Sequence, residues 1–386
     1  MDKINNTHPH ISFHQNWAVT PEIQYQIGEC DAMCRTIAHS PMRKKDIEKL
    51  LQVSLIKGAH ATTAIEGNTL SEEDIENIIN KHKQLPPSRQ YQQTEVENVI
   101  NTLNDILNDV VHKKADSPLT PHLIQNFHQH IMRNLGQHAD TIPGKWREDE
   151  RVVGPYRAPN HQVVPELMEK LCRWIKDEFG YPKPSFASAL IAAIVAHVYI
   201  EWIHPFGDGN GRTGRMVEFY ILLRQGLPSV ASHILSNYYN LTRTEYYRQL
   251  NETRKNRDLT GFIAYAVQGF RDGLMDELEA IQKGQLKTFW RNHVYDTLSD
   301  RTYGKKNQFK RQREVALCAP FEGEFTMDDA IMKTPLEIIR DYTRLSDATK
   351  RRDFKELVKM GIFKEAGNNK YAVNSDVLLT YLPVKK

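Results

Sequence analysis

Two apolar runs at helical spacing, Ala187–Ile203 and Thr213–Gln225, are joined through His204-Pro205-Phe206-Gly207-Asp208-Gly209-Asn210-Gly211-Arg212-Thr213-Gly214-Arg215. This junction constrains the fold more than any other part of the chain. It mixes a base, an acid, glycines, an amide and two guanidiniums, which suits neither a core nor the interior of a helix. Gly209-Asn210-Gly211 lets the backbone take positive φ and approach a ligand closely. It opens the second helix, where unpaired N–H groups and the helix dipole favour phosphate. Arg212 and Arg215, three residues apart, share one helix face and suit a polyphosphate tail. Asp208 is a hard-oxygen ligand for a Mg²⁺ that arrives with phosphates. His204 can take a proton near neutral pH. Any one of these pieces alone reads as a turn or a helix end. Together they point to phosphoryl or nucleotidyl transfer with a histidine base.

The string resembles the Fic motif, HxFx(D/E)GNGRxxR, at every fixed position. The resemblance implies a protein adenylyltransferase that moves AMP from ATP to a Ser, Thr or Tyr hydroxyl of a target protein, or of itself. It implies that His204 deprotonates the hydroxyl, Asp208 holds Mg²⁺, and Phe206 is a core anchor. Gly209, Asn210 and Gly211 would form the anion hole, with Arg212, Thr213, Gly214 and Arg215 completing the nucleotide site.

Thr62-Thr63-Ala64-Ile65-Glu66-Gly67-Asn68 resembles the family's inhibitory motif, (S/T)xxxE(G/N). Thr62 and Glu66 are four apart and stack on one helix face. The resemblance implies that Glu66 pairs with Arg215 and blocks the γ-phosphate position. The plain alternative is a helix C-cap at Glu66-Gly67-Asn68. Val152-Val153 and Val163-Val164, separated by Gly154 and Pro155, suggest a hairpin. The family uses such a flap to dock the target as an added strand, which makes Val152 and Val153 docking residues. Tyr239 and Tyr246 are the residues expected around the adenine ring, against half-buried packing as the alternative. Arg254 stands where some relatives place an asparagine.

The expected fold class is mainly α: a Fic-type helical domain with a β-hairpin flap, then a small winged helix-turn-helix domain. The expected divisions are 1–115, a helical region carrying the inhibitory helix; 116–285, the Fic core; and 286–386, the winged-helix-like part. Residues 1–20 read as an extended arm, Pro21 to Lys83 as helical, and Tyr91 to Lys113 as a helix. Ser117-Pro118-Leu119-Thr120-Pro121 reads as the cap of the next helix, and Pro165 to Phe179 as a helix after the flap. Residues 242–256 and 258–283 complete the helices of the core.

Residues 301–386 carry net charge +6 against −3 for the rest of the chain. Helices at Thr326–Lys333, Thr334–Asp341 and Ser346–Lys359 precede a hairpin around Gly367-Asn368-Asn369. Lys350, Arg351 and Arg352 would then face DNA. No run approaches the ~18 apolar residues of a membrane span. Met1–Asn16 has no signal-peptide core, and four cysteines without metal spacing read as reduced thiols of a cytoplasmic protein. A homodimer is an expectation from the family alone. Two further functions stay open: removal of AMP from modified proteins at the same site, and a nucleotide-sensing, DNA-binding regulator.

Overall fold

The computed structural model describes residues 7–80, 85–112, 118–135, 141–180, 184–299 and 306–379. The division expected between 115 and 116, Lys83, Lys113 and Ser117 lie outside the described residues. Two compact units emerge, Met1–Glu279 and Ala280–Lys386. Both are mainly helical.

In the first unit the expected long helical stretch after Pro21 is three helices: α1 (Pro21–His39), α2 (Lys44–Ala64) and α3 (Glu72–Ile79). Thr20 caps α1 by accepting from Ile23 N–H, with Pro21 in its first turn. Ser71 and Asp74 form a capping box on α3. Next come α4 (Gln90–Leu107) and α5 (Pro121–Ile131), the latter capped by Thr120. A hairpin follows, of β1 (Val152–Val153) and β2 (Tyr156–Arg157). Its second strand is therefore Tyr156–Arg157, where the sequence suggested Val163–Val164. Asn160 caps a 3₁₀ turn at His161–Val163, and Val164 already opens α6 (Val164–Glu178), with Pro165 in its first turn. Proline preset for helix overrides the β preference of the paired valines.

α7 (Phe186–Ile203) and α8 (Asn210–Arg224) form the centre of the unit. α7 is apolar all round, so it can only be stable with every face covered. Contrary to the sequence expectation, Phe186–Ile203 is long and apolar enough to cross a membrane, but 78% of it is buried inside the protein as a core helix. α9 (Ile234–Leu241), α10 (Arg243–Asn256) and the first part of α11 (Thr260–Ser299) follow; the residues of α11 from Ala280 on belong to the second unit. α2 packs against α9, α4 and α8, which brings its C-terminal end to the start of α8. The N-terminal arm lies along the core. Trp17 stacks on Phe179 with ring centroids 5.9 Å apart, and Phe13 N–H donates to the Tyr199 hydroxyl at 3.2 Å.

The second unit holds α12 (Lys306–Cys318), β3 (Phe325–Thr326), α13 (Met327–Met332), α14 (Leu336–Thr343) and α15 (Asp347–Lys359). β4 (Phe363–Gly367), β5 (Lys370–Val373) and α16 (Asp376–Leu379) complete it, with antiparallel strand order β3-β5-β4. Phe354, Phe363, Ile338 and Tyr342 lie in its core, and Arg311 pairs with the buried Asp353 at 2.6 Å.

Candidate active site

α7 ends on His204, which caps it in the left-handed region at φ 51° and ψ 60°. A non-glycine residue there is held by its surroundings. His204 N–H donates to Ile200 O at 2.8 Å. Arg147 Nε donates to His204 O at 2.7 Å, and Arg147 N–H to Pro205 O at 2.9 Å. Burial first, then the Arg147 charge, pushes the His204 imidazole down to about 4. The ring is neutral at pH 7, the state a proton acceptor needs.

Phe206 is fully buried and stacks on His128, with ring centroids 3.7 Å apart. His128 Nδ1 accepts from Gly144 N–H at 2.9 Å. Its Nε2 therefore carries the proton and donates to Asp208 O at 3.0 Å. Asn210 folds back on the loop: its Oδ1 accepts from Phe206 N–H at 2.9 Å and its Nδ2 donates to Phe206 O at 3.0 Å. The amide thus shapes the turn.

Gly209 stands at φ 79°, and a Cβ there would meet Met132 Sδ at 2.7 Å, so glycine is required twice over. α8 begins immediately after it with no side-chain cap. Its first N–H groups are left to an outside acceptor. Thr213 Oγ1 donates back to Gly209 O at 2.8 Å, and Gly214 lets α8 approach His197. Thr213 and Gly214 are buried and support the turn from below.

Both motif arginines are buried and both are engaged. Arg212 Nη1 donates to Glu95 of α4, and Arg212 Nη2 lies 3.3 Å from Asp208 Oδ2. Arg215 Nε donates to Thr62 Oγ1 at 2.7 Å, and its Nη2 to Thr62 O at 2.9 Å and to Glu66 Oε1 at 2.6 Å. That carboxylate also sits against the start of α8. A Cβ on Gly211 would lie 2.3 Å from Glu66 Oε1. Burial opposes the Glu66 charge, but Arg215, Arg212 and Arg243 together hold its carboxyl below the usual range. The same stretch is also a helix end, since Gly67 takes φ 101° and Asn68 N–H returns to Thr63 O. The C-cap and the ion pair are one structure.

Tyr239 and Tyr246 differ from expectation. They are 0% and 1% exposed, and their hydroxyls pair with Glu218 and His197, each at 2.8 Å. Aromatic spacing put them on a helix face, but that face is the core. Tyr247 is the exposed neighbour, donating to Ile65 O at 3.4 Å. Val152 and Val153 are exposed on the hairpin. Sequence reasoning missed His128, Glu95 and Arg147. Each is a lone polar residue distant in sequence from the motif, and no local pattern distinguishes it. Burial pushes two further carboxyls of this wall upward: Glu201 to about 7, with Glu66 adding, and Glu218 to about 8.

Comparison with known proteins follows the same residues. The Fic/DOC family matches residues 118–222. Protein adenylyltransferase fic-1 of Caenorhabditis elegans is 26% identical over 223 residues, 58% of this chain and 41% of that protein. Protein adenylyltransferase Fic of Nematostella vectensis is 25% identical over 229 residues, 59% of this chain and 50% of that protein. The chain thus spans half or less of the length of these curated relatives. Among solved structures, a Fic family protein from Desulfovibrio desulfuricans G20 shares the fold with a TM-score of 0.57 at 20% identity, covering 93% of this chain and 98% of that one. Fic-1 of Caenorhabditis elegans gives 0.56 at 21% identity, covering 67% and 73%. With the motif complete, the family matched and the fold shared, residues 118–222 of this chain are a Fic domain.

Proposed function

We propose that the chain is an auto-inhibited protein adenylyltransferase. The observation that carries this reading is the Glu66 carboxylate, bonded to Arg215 at 2.6 Å and lying against the open N-terminus of α8. A carboxylate there stands where a phosphate tail would be drawn by the same fork and the same N–H groups. When Glu66 withdraws, ATP phosphates take its place on Arg215 and the α8 N–H groups. The target hydroxyl oxygen attacks the α-phosphorus, the bond to the bridging oxygen breaks, and pyrophosphate leaves. His204 takes the hydroxyl proton. Positioning and charge neutralisation supply most of the rate. Exposed Val152 and Val153 would dock the target backbone as an added strand.

Asp208 fits a Mg²⁺ ligand. Its side chain is 40% exposed, and one oxygen takes Gly209 N–H at 2.6 Å while the other faces Arg212. Substrate phosphates would complete the coordination. Bound there, Mg²⁺ would neutralise charge on the phosphates.

Mass spectrometry of the Glu66→Gly protein incubated with Mg-ATP tests the reading. The expected result is AMP added to a hydroxyl of the protein itself or of a lysate protein, and none in His204→Ala. A Glu66→Gly protein that labels nothing removes the proposal. The alternative, removal of AMP, uses the Glu66 carboxylate to position water. It predicts that wild type strips an AMP-modified target and Glu66→Gly does not.

The second unit has a separate proposal, contact with duplex DNA. α14, α15 and the β4–β5 hairpin follow one another in the chain, the element order that supports reading α15 as a recognition helix. On α15, Arg351, Arg352 and Lys355 are exposed and have no ion-pair partner among the described residues, whereas Lys350 is held by Asp347. A gel shift with no salt-sensitive binding to any duplex would sink this idea.

A further inference from the structure

Arg147 stands between the flap and His204, at the end of the Pro143-Gly144-Lys145-Trp146-Arg147 stretch that leads into the hairpin. It is 5% exposed, and every guanidinium nitrogen is spent on a backbone carbonyl. Nε donates to His204 O at 2.7 Å, Nη1 to Asp149 O at 2.5 Å, and Nη2 to Pro159 O. Its own N–H reaches Pro205 O at 2.9 Å. Asp149 and Pro159 are the two sides of the neck below the β1–β2 hairpin. A backbone bond from Ala158 N–H to Arg151 O, 3.0 Å, closes the same neck. At the far end of the bridge, His204 occupies the left-handed region. Its preceding peptide is fixed by Ile200, and its carbonyl and that of Pro205 by Arg147. One planar cation thus joins the base of the hairpin to the backbone of the base residue.

The geometry points to Arg147 as the positioning residue that registers the flap against His204, so that a hydroxyl docked on the flap arrives at the imidazole. This rests on the reading of His204 as the proton acceptor. Three donors fanned in one plane are what the three carbonyls require. An ammonium presents its donors from a single point and cannot span them. Arg147 has no carboxylate ion-pair partner among the described residues, so a stabilising salt bridge does not explain its burial. Its charge has a second effect. The groups acting on His204 are Arg147 and Arg151 from the flap segment, Glu66 from the end of α2 and the Glu201 backbone carbonyl from α7. Both arginines lower the imidazole pKa, and Glu66 raises it. Losing the Arg147 charge moves it up; keeping the charge on a lysine ammonium does not.

The test uses Arg147→Lys and Arg147→Gln in the full chain, both in the Glu66→Gly background. Kinetics of AMP transfer, the His204 titration by NMR and amide exchange across Val152–Arg157 are the readouts. Arg147→Lys should lower kcat by roughly 100-fold with KM for ATP unchanged, because misplacement near 1 Å costs about that. Its His204 titration should stay in place while flap amides exchange faster. Arg147→Gln should lose as much rate and also raise the His204 pKa by about one unit. A Lys variant with full kcat overturns the inference. So does parallel loss of rate, ATP binding and thermal stability in both variants, which is the mark of a general packing role. If Glu66→Gly itself transfers nothing, the adenylyltransferase reading fails. The titration and exchange readouts still decide for or against the role of Arg147.

Discussion

Removing the Glu66 carboxylate should convert a silent protein into one that binds ATP productively. The size of the effect follows from one contact. Glu66 Oε1 accepts from Arg215 Nη2 at 2.6 Å; the arginine side chain is 0% exposed and the glutamate 28%. A hydrogen bond between charged groups in such a place contributes about 1.5–3 kcal/mol. At about 1.4 kcal/mol per factor of ten, ATP should bind Glu66→Gln roughly 10- to 150-fold more tightly than wild type. Glu66→Gly should reach the upper end, since it also clears the space beside Gly211. The same change leaves Arg215 without its counter-charge. Breaking a buried pair costs about 3–5 kcal/mol, less here because the Glu66 side is open to water and Thr62 keeps two bonds to the guanidinium. The apo variant should therefore melt a few degrees lower. Mg-ATP should restore the loss, because phosphate replaces the missing anion. Isothermal titration gives the affinity and thermal unfolding with and without Mg-ATP gives the exchange of anions. Equal ATP affinity in wild type and Glu66→Gln, within a factor of two, would refute competition between carboxylate and phosphate.

The remaining predictions concern neighbouring groups. With His204 held near 4, the acid limb of kcat/KM in Glu66→Gly should lie far below 6.5; a limb at 6.5 contradicts a neutral, buried imidazole. The Glu66 pKa is lowered from its ordinary 4.5, so the ion pair contributes fully above that pH and is lost as pH falls through the depressed value. The melting difference between wild type and Glu66→Gln should thus be flat from pH 8 to 5 and shrink in more acidic buffer. Glu218, pushed up to about 8, is protonated at pH 7. Glu218→Gln should then cost under about 1 kcal/mol in chemical denaturation, and a loss above 3 would mean a buried carboxylate anion. Phe206→Ala removes the ring stacked on His128 and should cost about 3–5 kcal/mol by the same measurement.

What the sequence revealed was the part of the site held in a single segment. His204, Gly209 and Arg215 are brought together by one helix end, one loop and one helix start, so spacing alone predicts their meeting. The Glu66–Arg215 pair was legible for a different reason, through a second segment of known pattern. The flap was half legible. Val152–Val153 is a strand, but its partner depends on the Asn160 cap and Pro165, which turn the next valines into a helix start. Tyr239 and Tyr246 misled because periodicity says that a face is apolar and not whether a ligand or another helix covers it. Arg147, Glu95 and His128 were invisible since their partners are backbone atoms and side chains far along the chain. Nothing local to a lone arginine says that three carbonyls converge on it.

The contacts around Arg215 and His204 come from different segments, and this bears on how the proposed inhibition would be lifted. Glu66 lies past the end of α2, in a turn where Gly67 takes φ 101° and Asn68 N–H returns to Thr63 O. The Asn68 side chain holds that turn to α4, donating to Gln92 O at 3.1 Å and to Glu95 Oε2 at 2.8 Å. Thr62, by contrast, lies within α2 and grips Arg215 through its hydroxyl and its carbonyl. Withdrawing Glu66 requires only the turn to move; α2 and its two bonds to Arg215 can stay. The flap and His204 are tied through Arg147 on the other side of the loop and need not respond. Glu95 holds both Asn68 and Arg212, so on the proposed reading a displaced turn would loosen the carboxylate that fixes Arg212 as it takes Glu66 off Arg215. On the proposed reading one local motion would then open both guanidiniums to a phosphate tail without requiring the Arg147 bonds to His204 and Pro205 to change.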